Sequence, residues 1–145
     1  MTDYGLLAAA AVAVKNRAYA PYSGFHVGAA LLCTDGTIYD GCNVESAAYS
    51  ATVCAERAAL VKAVSDGART FAAIAVAGSY PGAGGDYCYP CGVCRQMLHE
   101  FAGEGFELVV AKTARDYRVH RWEEILPFGF GPGDLGKDPG NRERR

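Results

Sequence analysis

The sequence predicts a single α/β domain with three layers, in which a mixed five-stranded sheet lies between helices on both faces. The chain has 145 residues, 50% of them hydrophobic, which suits one globular domain with a sizeable core. Segments with strand character alternate with segments whose apolar residues recur at helical spacing. Residues 71–77 form a continuous apolar run, as expected of a strand that is covered on both faces.

The first half of the chain is expected to form a helix, a hairpin and a second helix. Residues 3–19 have an apolar stripe at helical spacing, with Asp3 as the N-cap. Residues 25–33 and 37–40 have strand character on either side of an Asp-Gly turn. Residues 52–65 are apolar nearly all round, so they are predicted to form a buried helix.

The second half continues the alternation after the buried strand. Pro90 suits the first position of a helix that runs to about Phe101. Residues 107–111 and 117–120 have strand character, and residues 122–126 are expected to form a short helical turn. With the earlier elements, these segments complete the five predicted strands.

Composition limits the classes of function. The net charge is -2 and the isoelectric point about 5.9, which argues against a nucleic-acid-binding protein. The domain is expected to span residues 1–135, followed by a disordered tail over residues 136–145. The basic end of that tail, residues 142–145, is interpreted as a solvated charge run and not as a binding arm.

The six cysteines indicate metal binding and not disulfides. Cys88, Cys91 and Cys94 lie close together in the chain. The apolar run at residues 6–14 is too short to cross a bilayer, and charged residues on either side make it a poor secretory signal. A cytoplasmic protein with reduced thiols and no membrane partner is therefore expected.

Two short stretches hold the candidate metal ligands. Residues 54–57 are Cys-Ala-Glu-Arg, and residues 90–96 are Pro-Cys-Gly-Val-Cys-Arg-Gln. A lone Cys-x-x-Cys is also typical of redox and structural zinc sites. Together with Cys54, however, Cys91 and Cys94 could bind a tetrahedral zinc ion and leave one coordination position open to water.

Glu56 adds a carboxylate that need not bind the metal. Water on zinc loses a proton near neutral pH, and a neighbouring carboxylate can move that proton. Three cysteine ligands with a separate glutamate are a pattern of zinc deaminases. Residues two apart on an ideal helix point to opposite sides, so Cys54 and Glu56 can share a site only if Cys54 lies at the irregular start of the helix. That placement is predicted.

Three further segments extend the pattern, and with them the chain resembles the cytidine deaminase family over roughly residues 18–135. Residues 21–31 are similar to the family's Pro-Tyr-Ser-x-Phe-x-Val-Gly-Ala-Ala-Leu segment. Residues 41–45 match its Gly-Cys-Asn-x-Glu element, and residues 126–135 match its Leu-Pro-x-x-Phe-Gly-Pro-x-x-Leu ending. The resemblance implies the family's three-layer α/β/α fold.

The resemblance also implies roles for individual residues. One zinc ion per subunit would be held by Cys54, Cys91 and Cys94. Glu56 would be catalytic, and Arg57 would donate hydrogen bonds to the ligand sulfurs. The substrate-binding residues that it implies are Phe25, Asn43, Glu45, Tyr49, Ala55 and Phe130.

Several of these residues have a simpler interpretation without the family. By pattern alone Phe25 would be a core aromatic, although the family's phenylalanine lines the pyrimidine site. Asn43 and Glu45 would be loop residues, but their spacing of two puts both on one face of an extended chain, where they could hold a sugar hydroxyl. In the family these two positions hold the ribose.

The function implied is the hydrolysis of cytidine and 2'-deoxycytidine to uridine and 2'-deoxyuridine with release of ammonia, a step of pyrimidine salvage. The partner is a small nucleoside, with neither nucleic acid nor membrane involved. A homotetramer with shared active sites is also implied, because Tyr49 and Phe130 match residues that lie near a neighbouring subunit's site in the family.

Two alternatives remain open at this point. A related deaminase could act on another nucleoside such as blasticidin S, since the zinc motifs are shared. A structural zinc module that binds a partner would need a fourth protein ligand. The candidates for that ligand are Cys88, His26, His99 and His120, and none has a suitable spacing.

Overall fold

A computed structural model describes residues 1–137, which form one mixed five-stranded sheet. The strands are β1 (His26–Cys33), β2 (Ile38–Cys42), β3 (Phe71–Ser79), β4 (Glu107–Ala111) and β5 (Tyr117–Arg121). They lie in the order β2-β1-β3-β4-β5, with β3 and β4 parallel and the other neighbours antiparallel. The predicted mixed sheet is therefore confirmed.

Helices cover both faces of this sheet, as predicted. They are α1 (Tyr4–Val14), α2 (Ala55–Ser65), α3 (Gly92–His99) and α4 (Trp122–Ile125). No helix within residues 1–137 is long and apolar enough to span a membrane. The tail predicted over residues 136–145 lies outside the described residues from residue 138 onwards.

The two faces of the sheet differ in the size of their side chains. Alternate residues of β3 point to opposite faces, so Ile74 and Val76 pack with α2, α3 and α4 in the larger core. Ala73, Ala75 and Ala77 pack instead with α1 in a second core. Because alanine side chains are short, α1 can approach the sheet closely.

Gly28 of β1 shows how close this approach is. A Cβ atom on Gly28 would lie 2.1 Å from the backbone oxygen of Ala11 and 2.6 Å from the backbone nitrogen of Lys15.

Gly28→Ala is therefore expected to lower the free energy of unfolding by about 3 kcal/mol, because α1 must move as a whole. Denaturant unfolding measures this change. The control is Gly103→Ala, where the added Cβ meets nothing within 4 Å; equal stability of the two variants would contradict the expectation.

Several element boundaries differ from those predicted. α1 ends at Val14 and a 3-10 turn follows, so the helix is shorter than residues 3–19. Asp3 is nevertheless the N-cap, because its side chain accepts a hydrogen bond from the backbone N–H of Leu6. α2 begins at Ala55 and not at residue 52, because Val53 instead pairs with Val44 in an isolated bridge.

The surroundings of α2 and the start of α3 also differ. Only one face of α2 is buried, and Val61 is exposed, so the prediction of a helix buried all round was wrong. Pro90 does not occupy the first position of α3. Cys91 is the N-cap of that helix and accepts a hydrogen bond from the backbone N–H of Cys94, which leaves Pro90 in the preceding loop.

Candidate active site

The N-termini of α2 and α3 bring three cysteines together. Cys54 and Cys91 are the N-cap residues of these helices, and both have extended backbones. The sulfur atoms of Cys54, Cys91 and Cys94 all lie within 4.8 Å of one another. The extended backbone at Cys54 confirms the prediction that this residue lies at the irregular start of its helix. Because Cys54 is outside the regular helix, its side chain can point to the same side as that of Glu56.

The thiols strongly influence one another. Hydrogen bonds from Cys94 and Arg57 lower the pKa of Cys54 to about 5. The pKa of Cys94 is raised, because its proton is held by Cys54 and because the residue is buried. Free backbone amides at both helix N-termini favour the thiolate form of a nearby cysteine. A coordinated metal would deprotonate the remaining thiols.

The donor set fits zinc with an open position. Metal sites in proteins are usually formed by His, Cys, Asp or Glu side chains. Within residues 1–137, the three cysteines are the one place where at least three such side chains lie close enough to hold a metal ion. Cys88, His26, His99 and His120 lie outside this group, so the fourth ligand that a structural zinc module needs is absent from it. Three protein ligands are typical of catalytic zinc.

Arg57 lies beside the thiols, as predicted. Its Nη2 atom is 3.7 Å from the sulfur of Cys54 and 3.2 Å from the backbone oxygen of Thr52. Its Nε atom is buried and has no hydrogen-bond partner within the described residues. Zinc with three thiolates would carry a net negative charge, and the guanidinium offers a compensating charge and free N–H donors beside it.

Glu56 lies in the first turn of α2 and is only 3% exposed. Burial raises the pKa of its carboxyl group. A carboxyl group whose pKa is raised towards neutrality is suited to accepting and returning a proton. Glu56 borders the same cavity as Cys54 and Cys91.

This cavity has a volume of about 290 Å³ and also receives most of the predicted substrate-binding residues. Its lining includes Phe25, Asn43, Glu45 and Ala55. Asn43 and Glu45 therefore share one side of the chain, as their spacing predicted. The structure thus brings four predicted substrate-binding residues to the cavity that Cys54 and Cys91 border.

Asn43 and Glu45 also hold neighbouring backbone, which their sequence pattern did not indicate. The amide of Asn43 accepts from the backbone N–H of Val27 and donates to the backbone oxygen of Phe25, both at 2.8 Å. The carboxylate of Glu45 accepts from the backbone N–H groups of Tyr22 and Ser23 and from the Ser23 hydroxyl. Both side chains therefore stabilise the segment that leads into β1.

Tyr49 and Phe130 do not line this cavity. Tyr49 is 75% exposed and borders an adjacent depression with Tyr22 and Glu45. Phe130 is 61% exposed and follows α4 in the chain. Both aromatic side chains are therefore accessible on the surface of this single chain.

Sequence reasoning missed Cys88 as a residue of the site. Its exclusion from the metal ligands agrees with the three-thiol group, yet its side chain borders the cavity. Burial, together with the charge of Glu56, raises the pKa of Cys88 to about 11, so this thiol stays neutral. A Cβ atom on Gly78 would lie 2.8 Å from the Cys88 sulfur and 3.0 Å from the ring of Phe25. The available signal was a glycine directly after the apolar run at residues 71–77, because a glycine in a strand can mark a close approach of other groups.

Comparisons with known proteins agree with this geometry. The family model described as the cytidine and deoxycytidylate deaminase zinc-binding region matches residues 1–111. A cytidine deaminase of Sporosarcina psychrophila is 44% identical over 133 residues, which are 92% of this chain and 95% of that protein.

Solved structures are similar over nearly the whole chain. The crystal structure of cytidine deaminase from Burkholderia pseudomallei has a TM-score of 0.77 and 44% identity, covering 90% of this chain and 100% of that one. The crystal structure of cytidine deaminase from Mycobacterium tuberculosis has a TM-score of 0.78 and 36% identity, covering 90% and 99% of the two chains.

Proposed function

The chain belongs to the cytidine and deoxycytidylate deaminase family, and on that premise we propose that it hydrolyses cytidine to uridine and ammonia in a zinc-dependent reaction. The main support is the group of three thiols, two of which, Cys54 and Cys91, border one cavity together with Glu56. We extend the proposal to 2'-deoxycytidine and to a role in cytoplasmic pyrimidine salvage.

Glu56 is the proposed proton-transfer residue. Zinc bound by the three cysteines would make water a nucleophile at neutral pH. The Glu56 carboxylate takes a proton from the attacking water and delivers it to N3 of the cytosine ring, which makes C4 more electrophilic. The water oxygen forms a bond to C4. Glu56 then takes the remaining proton from that oxygen and passes it to the amino group. The bond between C4 and this nitrogen breaks, so that cytidine and water become uridine and ammonia.

The cavity lining suggests how the nucleoside is held. Phe25 and Ala55 are proposed to contact the base, because both border the cavity beside Glu56. Asn43 and Glu45 are proposed to contact the sugar. Each already bonds to protein backbone, and that bonding would hold its polar atoms in a fixed position before the substrate arrives.

Arg57→Gln is expected to weaken zinc affinity or activity by about 10–100-fold, as is usual when a group bonded to a metal ligand is lost. The reason is that the guanidinium donates to Cys54 and compensates the negative charge of three thiolates. Competition with a chromophoric chelator and steady-state kinetics measure the two effects. Lys62→Gln is the matched control, since it removes one positive charge from the exposed side of the same helix. If the two variants had the same zinc affinity and the same activity, Arg57 would not be the residue that compensates the charge of the thiolates.

We propose a homotetramer in which sites are shared between subunits. Tyr49 and Phe130 support this because they are exposed aromatic residues outside the cavity of their own chain. Sedimentation of the zinc-loaded protein at assay concentration tests the assembly, and a fully active monomer would overturn it.

The proposed activity is tested by incubating purified protein with cytidine and following the loss of absorbance as uridine forms. Activity should disappear with a chelator and return with added zinc. Parallel assays with 2'-deoxycytidine and blasticidin S define the substrate. Turnover of blasticidin S alone, or full activity after complete removal of zinc, would refute the proposal.

A further inference from the structure

The segment that contains Phe130 packs directly against α3. A Cβ atom on Gly129 would lie 3.0 Å from Nε2 of His99, and one on Gly131 would lie 2.8 Å from the same atom. The side-chain amide of Gln96 also donates to the backbone oxygen of Phe130 at 2.8 Å. The two glycines on either side of Phe130 are thus seated on the imidazole of His99.

The imidazole is itself held in place from the other side. The indole N–H of Trp122 donates to Nδ1 of His99 at 3.0 Å. Trp122 is buried and packs edge-on against Phe106, with ring centroids 5.3 Å apart. His99 therefore has one ring nitrogen bonded to the core and the other facing the two glycines.

These contacts leave the Phe130 ring accessible. Its neighbours on both sides face His99 and its carbonyl oxygen is bonded to Gln96, while its side chain is 61% exposed. Phe128, two residues before Phe130, has a backbone φ of 54°. This left-handed conformation is uncommon for a residue other than glycine. The Phe128 side chain is itself fully exposed, so the segment is held by the contacts of Gly129 and Gly131 with His99 and by the bond from Gln96.

We propose that His99 is a positioning residue for Phe130. The inference rests on the proposed function, in which Phe130 completes the nucleoside site of a neighbouring copy. α3 also begins next to Cys91 and contains Cys94, so one helix holds two candidate metal ligands and the support for Phe130. Without the imidazole of His99, the Phe130 ring moves away from the nucleoside site of the neighbouring copy. Nucleoside binding is then weaker, while the rate of the chemical step stays the same.

His99→Asn is the principal test, in the full-length zinc-loaded protein. The asparagine can still accept the hydrogen bond from Trp122, but it lacks the ring edge on which Gly129 and Gly131 rest. The KM for cytidine is expected to rise about fivefold or more, with kcat and zinc content nearly unchanged, as for a loss of binding alone. His99→Ala should raise KM at least as much and should also change the emission of Trp122, the single tryptophan of the chain.

A double-mutant cycle adds a readout that a general loss of stability would not reproduce. Gly131→Ala places a methyl group against His99 and should raise KM by itself. Because that clash requires the imidazole, its effect should largely disappear in the His99→Ala background. Additive effects would overturn the inference.

Phe130→Ala distinguishes this inference from the proposed function. A normal KM in Phe130→Ala would refute the proposed role of Phe130 and with it the role of His99. A raised KM in Phe130→Ala, together with a normal KM in His99→Asn and His99→Ala, would overturn the inference alone. Met97→Ala, at an exposed residue of the same helix, is the control for general effects of substitution in α3.

Discussion

Replacing Glu56 with glutamine is expected to lower kcat for cytidine by about 10²–10⁴-fold, the usual contribution of a general acid-base group. Glutamine has nearly the same shape, so the cavity and the three-thiol group should persist. The amide, however, can neither take a proton from water nor deliver one to N3 of the base. Steady-state kinetics and the zinc content of the purified variant measure the two properties separately.

The same substitution should not destabilise the protein. Burial raises the pKa of Glu56, so in the zinc-free protein its charged form disfavours the folded state. This cost is absent below the pKa of the unfolded chain and grows as the pH rises from there through the raised pKa of the folded state. Glutamine removes it, so the melting temperature should stay the same or increase.

Glu104→Gln, at an exposed residue, is the matched control for the change from carboxylate to amide. It should leave kcat and zinc content unchanged. If Glu56→Gln kept near-normal turnover with zinc bound, Glu56 would not be the proton-transfer residue. Loss of zinc from that variant would show instead that Glu56 supports the metal.

Cys94→Ser is expected to weaken zinc binding strongly. Cys94 is fully buried in the first turn of α3, within 4.8 Å of the other two sulfurs. Zinc binds structural sites with an apparent free energy of about 10–16 kcal/mol, so losing one of three ligands should cost several kcal/mol. This corresponds to more than about 100-fold in affinity, since 1.4 kcal/mol is tenfold. Activity at limiting zinc should fall accordingly, and a given concentration of added zinc should raise the melting temperature less than in the unchanged protein.

Cys88→Ser is the control for this substitution. Cys88 borders the same cavity and precedes Cys91 by three residues, yet it lies outside the three-thiol group. Its serine variant should retain zinc, as measured by elemental analysis of the purified protein. Equal loss of zinc from both variants would mean that Cys88 belongs among the ligands. Retention of zinc by Cys94→Ser would remove Cys94 from them.

The elements that the sequence predicted well are those whose signals are local. Residues 107–111 form β4 with the predicted boundaries, because an apolar run of this length suits a strand buried on both faces. The placement of Cys54 at the irregular start of α2 followed from its spacing to Glu56. The start of α2 was predicted too early, because the pairing of Val53 with Val44 depends on tertiary contacts.

The chemical groups of the site and their order along the chain are properties of the amino-acid sequence alone. The spacing of Cys91 and Cys94, and the position of Glu56 two residues after Cys54, are local properties that survive any arrangement of the surrounding elements. The neighbours of these groups, in contrast, depend on how the chain folds. The bonds from Asn43 to the Phe25 segment and from Trp122 to His99 join residues 18 and 23 positions apart. Such contacts depend on sheet register and helix packing, which leave no periodic signal in the residues concerned.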